Sequence, residues 1–321
     1  MKKLFQIIPL PALLLALVMC GCASRVVVRE YEHPQWGNVI HLANRQIEAI
    51  IAPERGGRLM HYSRLGESNL LWTAADINSG LGKGWKWQNW GGEKTWLWPQ
   101  SAWPEGTWPP PLEFDQEAFE VYHVGGDRIP YVPKWLFEEG RCVFMHTPKK
   151  EINEAKNVMR RIIYFPEKGS KLSVFNSSII FNCWSTSPPP LSVWSVTQIP
   201  MPEKIILERT APRRLLLQMP NAERTLVMSD ENTVDLSNVT RKTKGMMDAN
   251  GFRVPTAQGT LVVRQSGIAD IPYDEPYRAQ ICTSPFLEND AYVELEFAAP
   301  LPADNKPAPS SQTITISLEK K

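Results

Sequence analysis

Apolar residues along this chain recur at every second position or in short runs closed by turn residues, which is the signature of strands. Such stretches fall at 26–28, 47–51, 119–124, 158–165, 172–181, 215–219, 261–263 and 292–297. Residues 313–318 alternate cleanly and predict a closing strand that buries Ile314, Ile316 and Leu318 on one face. No segment keeps helical spacing for more than about two turns. The polar stretch 149–157 predicts a short surface helix or a loop. Proline-rich breaks fall at 109–111, 188–190 and 300–309, and no repeat or domain linker is visible. Many short strands with such breaks predict an all-β protein built as one large antiparallel sandwich.

The first 21 residues read as an address rather than as part of that fold. Lys2 and Lys3 are followed by an apolar stretch at 10–19, too short for a membrane span of about 20 residues. Met19-Cys20-Gly21-Cys22-Ala23-Ser24 resembles a bacterial lipobox, in which a small residue precedes the lipidated cysteine. Gly21 selects Cys22 as the lipidation site, and Ala23 in place of Asp implies the outer membrane, facing the periplasm. The expected organisation is a signal peptide at 1–21, a lipid-anchored tether at 22–30 and a single domain at 31–321.

Charge and composition narrow the function. Lys and Arg number 35 against 34 Asp and Glu, so no basic stripe organises the surface for nucleic acid. A 43% hydrophobic content excludes intrinsic disorder, and 28 Pro disfavour a helical bundle. Beyond the expected anchor, Cys142, Cys183 and Cys282 are odd in number and lie in apolar runs, as buried thiols do. No CxxC or HxxxH spacing points to a metal, and no cofactor is expected.

The sharpest feature is aromatic. Seven of the 12 Trp lie within 85–108, at 85, 87, 90, 96, 98, 103 and 108. Glu93, Lys94 and Gln100 stand among them, after a Gly91-Gly92 bend. Sugars offer C–H faces to aromatic rings and hydroxyls to charged and amide groups, so a Trp-lined cleft carrying Glu, Lys and Gln suits a carbohydrate. Equally, the rings could cap one end of the sandwich as a satellite core. On a strand, Trp96 and Trp98 share one side, with Lys94 and Gln100 beside them. The candidate binding residues are Arg58, Trp90, Lys94, Trp96, Trp98, Gln100, Trp194 and Lys244, with Arg58 and Trp194 opposite the 93–98 segment. Glu93 is the candidate acid/base, and Glu93→Gln is expected to weaken sugar binding with stability nearly intact.

Residues 50–59 (Ile-Ile-Ala-Pro-Glu-Arg-Gly-Gly-Arg-Leu), then Gly66 and Asn69-Leu70-Leu71-Trp72, resemble the opening of galactose-mutarotase-like proteins. Arg160-Arg161-Ile162-Ile163, residues 172–182, Lys244-Gly245 and Tyr292-Val293-Glu294-Leu295-Glu296 resemble later parts of that family in order. The resemblance spans roughly 38–318 and implies a β-supersandwich. Within it, residues 91–100 look like an uncharacterised family of bacterial lipoproteins. True mutarotases use a His after the central strands, yet 191–198 holds none, so the resemblance implies sugar binding without that His. Glu294 and Glu296 resemble the family's structural Glu-x-Glu. Two classes of function follow. One is an envelope lipoprotein binding carbohydrate in a Trp-rich cleft, whose chemistry, if any, is epimerase-like or lyase-like. The other is a non-catalytic protein whose Trp-rich face contacts another protein.

Overall fold

The computed structural model describes residues 26–75, 87–103, 109–125, 140–147, 150–152, 155–181, 191–208, 217–218, 226–247, 249–266, 279–284, 291–299 and 310–320. The leader, Cys22, Cys183, Trp85 and Trp108 lie outside these residues.

The described chain is almost wholly strand. The first hundred residues carry β1 (Val27–His33), β2 (Gly37–Ala43), β3 (Ile47–Ala52), β4 (Arg58–Arg64) and β5 (Glu93–Trp98). A 3₁₀ turn, Gln100–Ala102, and a one-turn helix α1 (Leu112–Asp115) follow. Then come β6 (Glu120–Gly125), β7 (Gly140–His146), β8 (Lys150–Ile152), β9 (Ala155–Pro166), β10 (Leu172–Phe181) and β11 (Ser192–Pro200). Shorter strands succeed them: β12 (Lys204–Glu208), β13 (Leu217–Gln218), β14 (Val227–Asp230), β15 (Thr233–Asp235) and β16 (Lys244–Met247). The chain closes with β17 (Gly251–Thr256), β18 (Gly259–Ser266), β19 (Ala279–Ser284), β20 (Tyr292–Ala298) and β21 (Ser310–Glu319).

These strands form two antiparallel sheets. Sheet 1 runs β1-β2-β3-β4-β5-β11-β20-β19-β16-β13, and sheet 2 runs β14-β15-β12-β17-β18-β21-β10-β9-β7-β6, with β8 paired to β9. One apolar core fills the space between them. Leu42, Ile47, Leu97, Val293 and Leu295 from sheet 1 meet Ile163, Val174, Phe252, Val263, Ile314 and Ile316 from sheet 2. The closing strand is central to sheet 2, between β18 and β10, and Ile314, Ile316 and Leu318 point into this core as expected.

Two expectations are corrected. Residues 150–152 and 155 onward form the β8–β9 hairpin rather than a helix or loop, because pairing with a long central strand satisfies their backbone groups. Sheet 1 begins at Val27, inside the expected tether, because 27–33 pair residue for residue with β2. That strand is exposed over nearly its whole length, so backbone pairing rather than burial holds it.

The strands that carry the aromatic segment differ from the rest. On β5 and β11 nearly every residue is buried, so both faces of sheet 1 are covered there. A second, smaller core of Trp96, Trp103, Trp194, Val196 and Ala298 lies on the side away from sheet 2.

Candidate carbohydrate site on the outer face of sheet 1

Strand alternation splits residues 93–98 between the two sides of sheet 1. Gly91 and Gly92 adopt φ of 85° and 73°, and a Cβ at either would overlap the carbonyl oxygen of Trp72 or Leu59. From that bend Glu93, Thr95 and Leu97 enter the sandwich. Lys94, Trp96 and Trp98 face outward.

Glu93 is therefore not at the site, which corrects its expected role. It is fully buried and forms an ion pair with Arg161 Nη2 of β9, on the opposite sheet. Its Oε1 also accepts from Ser195 Oγ at 3.0 Å, and Arg161 Nη1 donates to Thr95 Oγ1 at 2.6 Å. This is a polar tie between the sheets. Neighbouring residues on a strand point to opposite faces, so Glu93 and Lys94 cannot share a cleft.

The outward side chains make a connected aromatic row. Trp96 and Trp194 are cross-strand partners, with ring centroids 5.3 Å apart at 76°. Trp98 meets the other side of Trp194 at 5.2 Å and 81°, and Trp103 packs on both Trp96 and Trp194. Trp194 thus stands beside Trp96 rather than opposite it. Of the four rings, only Trp98 is half-buried rather than buried.

Asp115, at the end of α1, anchors this row and is absent from the sequence-based candidates. Its Oδ1 accepts from Arg58 Nη2 at 2.5 Å and Trp96 Nε1 at 2.6 Å. Its Oδ2 accepts from Trp87 Nε1 at 2.6 Å and from Gln116 Nε2. Burial alone would push this carboxyl up, but Arg58, Lys94 and the hydrogen bonds outweigh it and hold it below the usual range. Arg58, on the same face of sheet 1, is fully buried and spent on Asp115 and the Gly91 carbonyl, so it braces the row rather than meeting a ligand.

Across β11 lies a charged row. Trp194, Val196 and Gln198 pair with Ala298, Glu296 and Glu294 of β20, and those glutamates pair in turn with Gln280 and Cys282 of β19. Lys244 of β16 donates to Glu296 Oε2 at 3.2 Å, with its ammonium 3.1 Å from Oε1 in an ion pair, and stands 5.2 Å over the Trp194 ring. Gln198 Nε2 donates to Glu294 Oε1 at 2.7 Å. Burial raises the Glu296 carboxyl, with Lys244 opposing and Glu294 adding to the rise. Sulfur and carboxylate atoms of Cys282, Glu294 and Glu296 lie within 4.8 Å of one another, a spacing that could hold a metal ion. Burial, however, pushes the Cys282 thiol up and keeps it neutral, and the Lys244 ammonium already stands on Glu296.

The family resemblance implies a structural role for Glu294 and Glu296, whereas their two-residue spacing, alternating with Val293, Leu295 and Phe297, puts them on the face of sheet 1 that carries Lys244. Two other candidates sit elsewhere. Trp90 packs with Trp36, Val39, Ala52 and Met60, and its indole donates to Gln116. β5 ends at Trp98, so Gln100 lies in the 3₁₀ turn and is not the next residue of the row.

No protein-family model matches the chain, and no curated protein does. Solved structures match it in fold. A galactose mutarotase-like protein from Clostridium acetobutylicum aligns with a TM-score of 0.57 at 10% identity, covering 93% of this chain and 100% of that one. One from Lactobacillus casei aligns at 0.53 and 12% identity, over 88% and 100%. A galactose mutarotase related enzyme from Lactobacillus acidophilus aligns at 0.52 and 11%, over 91% and 98%. At such identities the likeness is one of fold, and the chain has the galactose-mutarotase-like β-sandwich.

Proposed function

We propose that this mutarotase-like sandwich binds a carbohydrate on the outer face of sheet 1, between β5 and β20. One observation carries the reading: Trp98 and Trp194 edge a row in which Lys94, Lys244, Glu294 and Glu296 all face the same way. Indole rings meet the C–H faces of a pyranose, and carboxylate, amide and ammonium groups meet its hydroxyls. The contrary reading, a flat Trp surface for a protein partner, lacks support. Among the described residues every Trp other than Trp98 is at least nine-tenths buried, and the exposed large apolar side chains lie elsewhere.

If the bound sugar reacts, the proton-transfer group is Glu296 rather than Glu93. Burial keeps its carboxyl protonated to higher pH than an ordinary glutamate, which suits an acid toward a ring oxygen. Trp98→Ala should weaken binding about tenfold, roughly 1.4 kcal/mol, with a small change in melting temperature because the ring is only half-buried. Glu294→Gln should weaken it while leaving the fold intact. Glycan-array screening followed by calorimetric titration of the soluble 23–321 fragment measures both. Absence of binding to any glycan would sink the reading.

The same reading places the protein in the envelope, held by lipid on Cys22. Its support is the lipobox-like 19–24 stretch and the start of sheet 1 only five residues after that cysteine, at Val27. Among the described residues no helix is long and apolar enough to cross a membrane. Cys22→Ser should lose incorporation of a fatty-acid analogue and move the protein to the soluble fraction; labelling that persists would refute the anchor.

A further inference from the structure

Lys94 is a charged side chain without a counter-charge. It is 1% exposed, and among the described residues no carboxylate pairs with its ammonium. Among the described residues its one polar contact is a long hydrogen bond, 3.4 Å, to Asn89 Oδ1. Two aromatic rings stand near it, with Nζ 4.5 Å from the Trp96 ring and 6.0 Å from that of Trp87. The nearby carboxylates are engaged: Asp115 by Arg58, two indoles and Gln116, Glu296 by Lys244, and Glu294 by Gln198. Aromatic faces attract a cation but do not replace an anion for a fully desolvated one.

The register shows what could fit beside it. Lys94 pairs with Val196, and Val196 pairs with Glu296. Two strand spacings, about 10 Å, therefore separate the backbones of Lys94 and Glu296, with only a valine between them. That span is of the order of a pyranose ring with one substituent. An acidic sugar spanning this distance sets its hydroxyls toward Glu296 and Lys244 at one end and its charge toward Lys94 at the other.

We infer that Lys94 receives the anionic group of an acidic sugar, a carboxylate or a phosphate, whose oxygen displaces the weak Asn89 contact. The inference rests on the carbohydrate reading above and adds the class of sugar. Burial first, then Arg58, pushes Lys94 down to about 8, against the opposing pull of Asp115, Glu294 and Glu296. Charged groups thus face it from β4, α1 and β20. Below that value the side chain is an ammonium ready for an anion. A bound anion raises it, so affinity for an acidic sugar should fall as pH rises above about 8, up to tenfold per unit, whereas affinity for a neutral sugar should not.

Calorimetric titration with galactose, galacturonate and galactose 6-phosphate, and with the matching glucose series, tests this. Wild type should bind an acidic member at least tenfold more tightly than its neutral parent, and Lys94→Met should abolish that preference. Whether carboxylate or phosphate is favoured identifies the source of the charge. Lys94→Met removes an unpaired buried charge and should melt no lower than wild type. Should it fail to fold, the pH scan of wild type, acidic against neutral sugar, decides alone. Equal affinity for acidic and neutral sugars overturns the inference and leaves carbohydrate binding standing. A preference that survives Lys94→Met overturns the role of Lys94. Failure of every sugar to bind overturns both readings.

Discussion

Removing residues 310–321 should leave no cooperatively folded protein. β21 pairs along seven residues with β10 and seven with β18, so its loss opens two long edges in the middle of sheet 2. It also removes Ile314, Ile316 and Leu318 from the core, each 5% exposed or less. Truncating one such side chain costs about 2–5 kcal/mol, and three together approach the 5–15 kcal/mol that holds an ordinary domain. The exposed edges should make the product aggregate. Circular dichroism melts of the truncated chain provide the measurement. A truncated chain that melts like the full one would mean that the strand is an appendage.

Glu93→Gln should lower stability by about 3–5 kcal/mol while leaving sugar affinity within roughly threefold of wild type. The substitution is isosteric but leaves the Arg161 guanidinium, itself fully buried, without its counter-charge. At the ~2 °C per kcal/mol typical of larger domains, the melting temperature should fall by roughly 6–10 °C. Replacing both partners with apolar residues, Glu93→Leu with Arg161→Met, should recover much of the loss, because no charge is then stranded between the sheets. Binding lost without a change in melting temperature would return Glu93 to the site.

That prediction inverts the expectation drawn from the sequence. Alternation places Trp96 and Trp98 on one side with Lys94, since period two is a local property of one strand, but it carries Gln100 along only because it does not mark where the strand ends. The same rule puts Glu93 on the other face, yet its chemistry drew it into the Trp-rich set. Nothing local identifies its partner: Arg161 lies 68 residues away on the other sheet. Asp115 is illegible locally for the same reason, being 19 residues from Trp96 and 57 from Arg58. Strands such as 172–181 and 313–318 were legible because their alternation is strong and their ends carry turn residues. The 149–157 stretch was not, because its few apolar residues leave the periodicity silent and pairing with β9 decides its structure. Glu294 and Glu296 were visible as a same-face pair, but which face was open to a ligand depended on sheet order.

Sheet order also governs when this face comes into being. β1 to β4 pair with sequence neighbours, whereas β5 must wait for β11, and β11 for β20. The site's side chains come from residues 58, 94–98, 194–198, 244, 282 and 294–296, so most of its contacts are non-local and slow to form. The pocket and the global fold should therefore appear in the same transition, with no partly folded species competent to bind. A ligand of this face would then be linked to unfolding of the entire sandwich, and its binding free energy would be read directly as a shift in global melting.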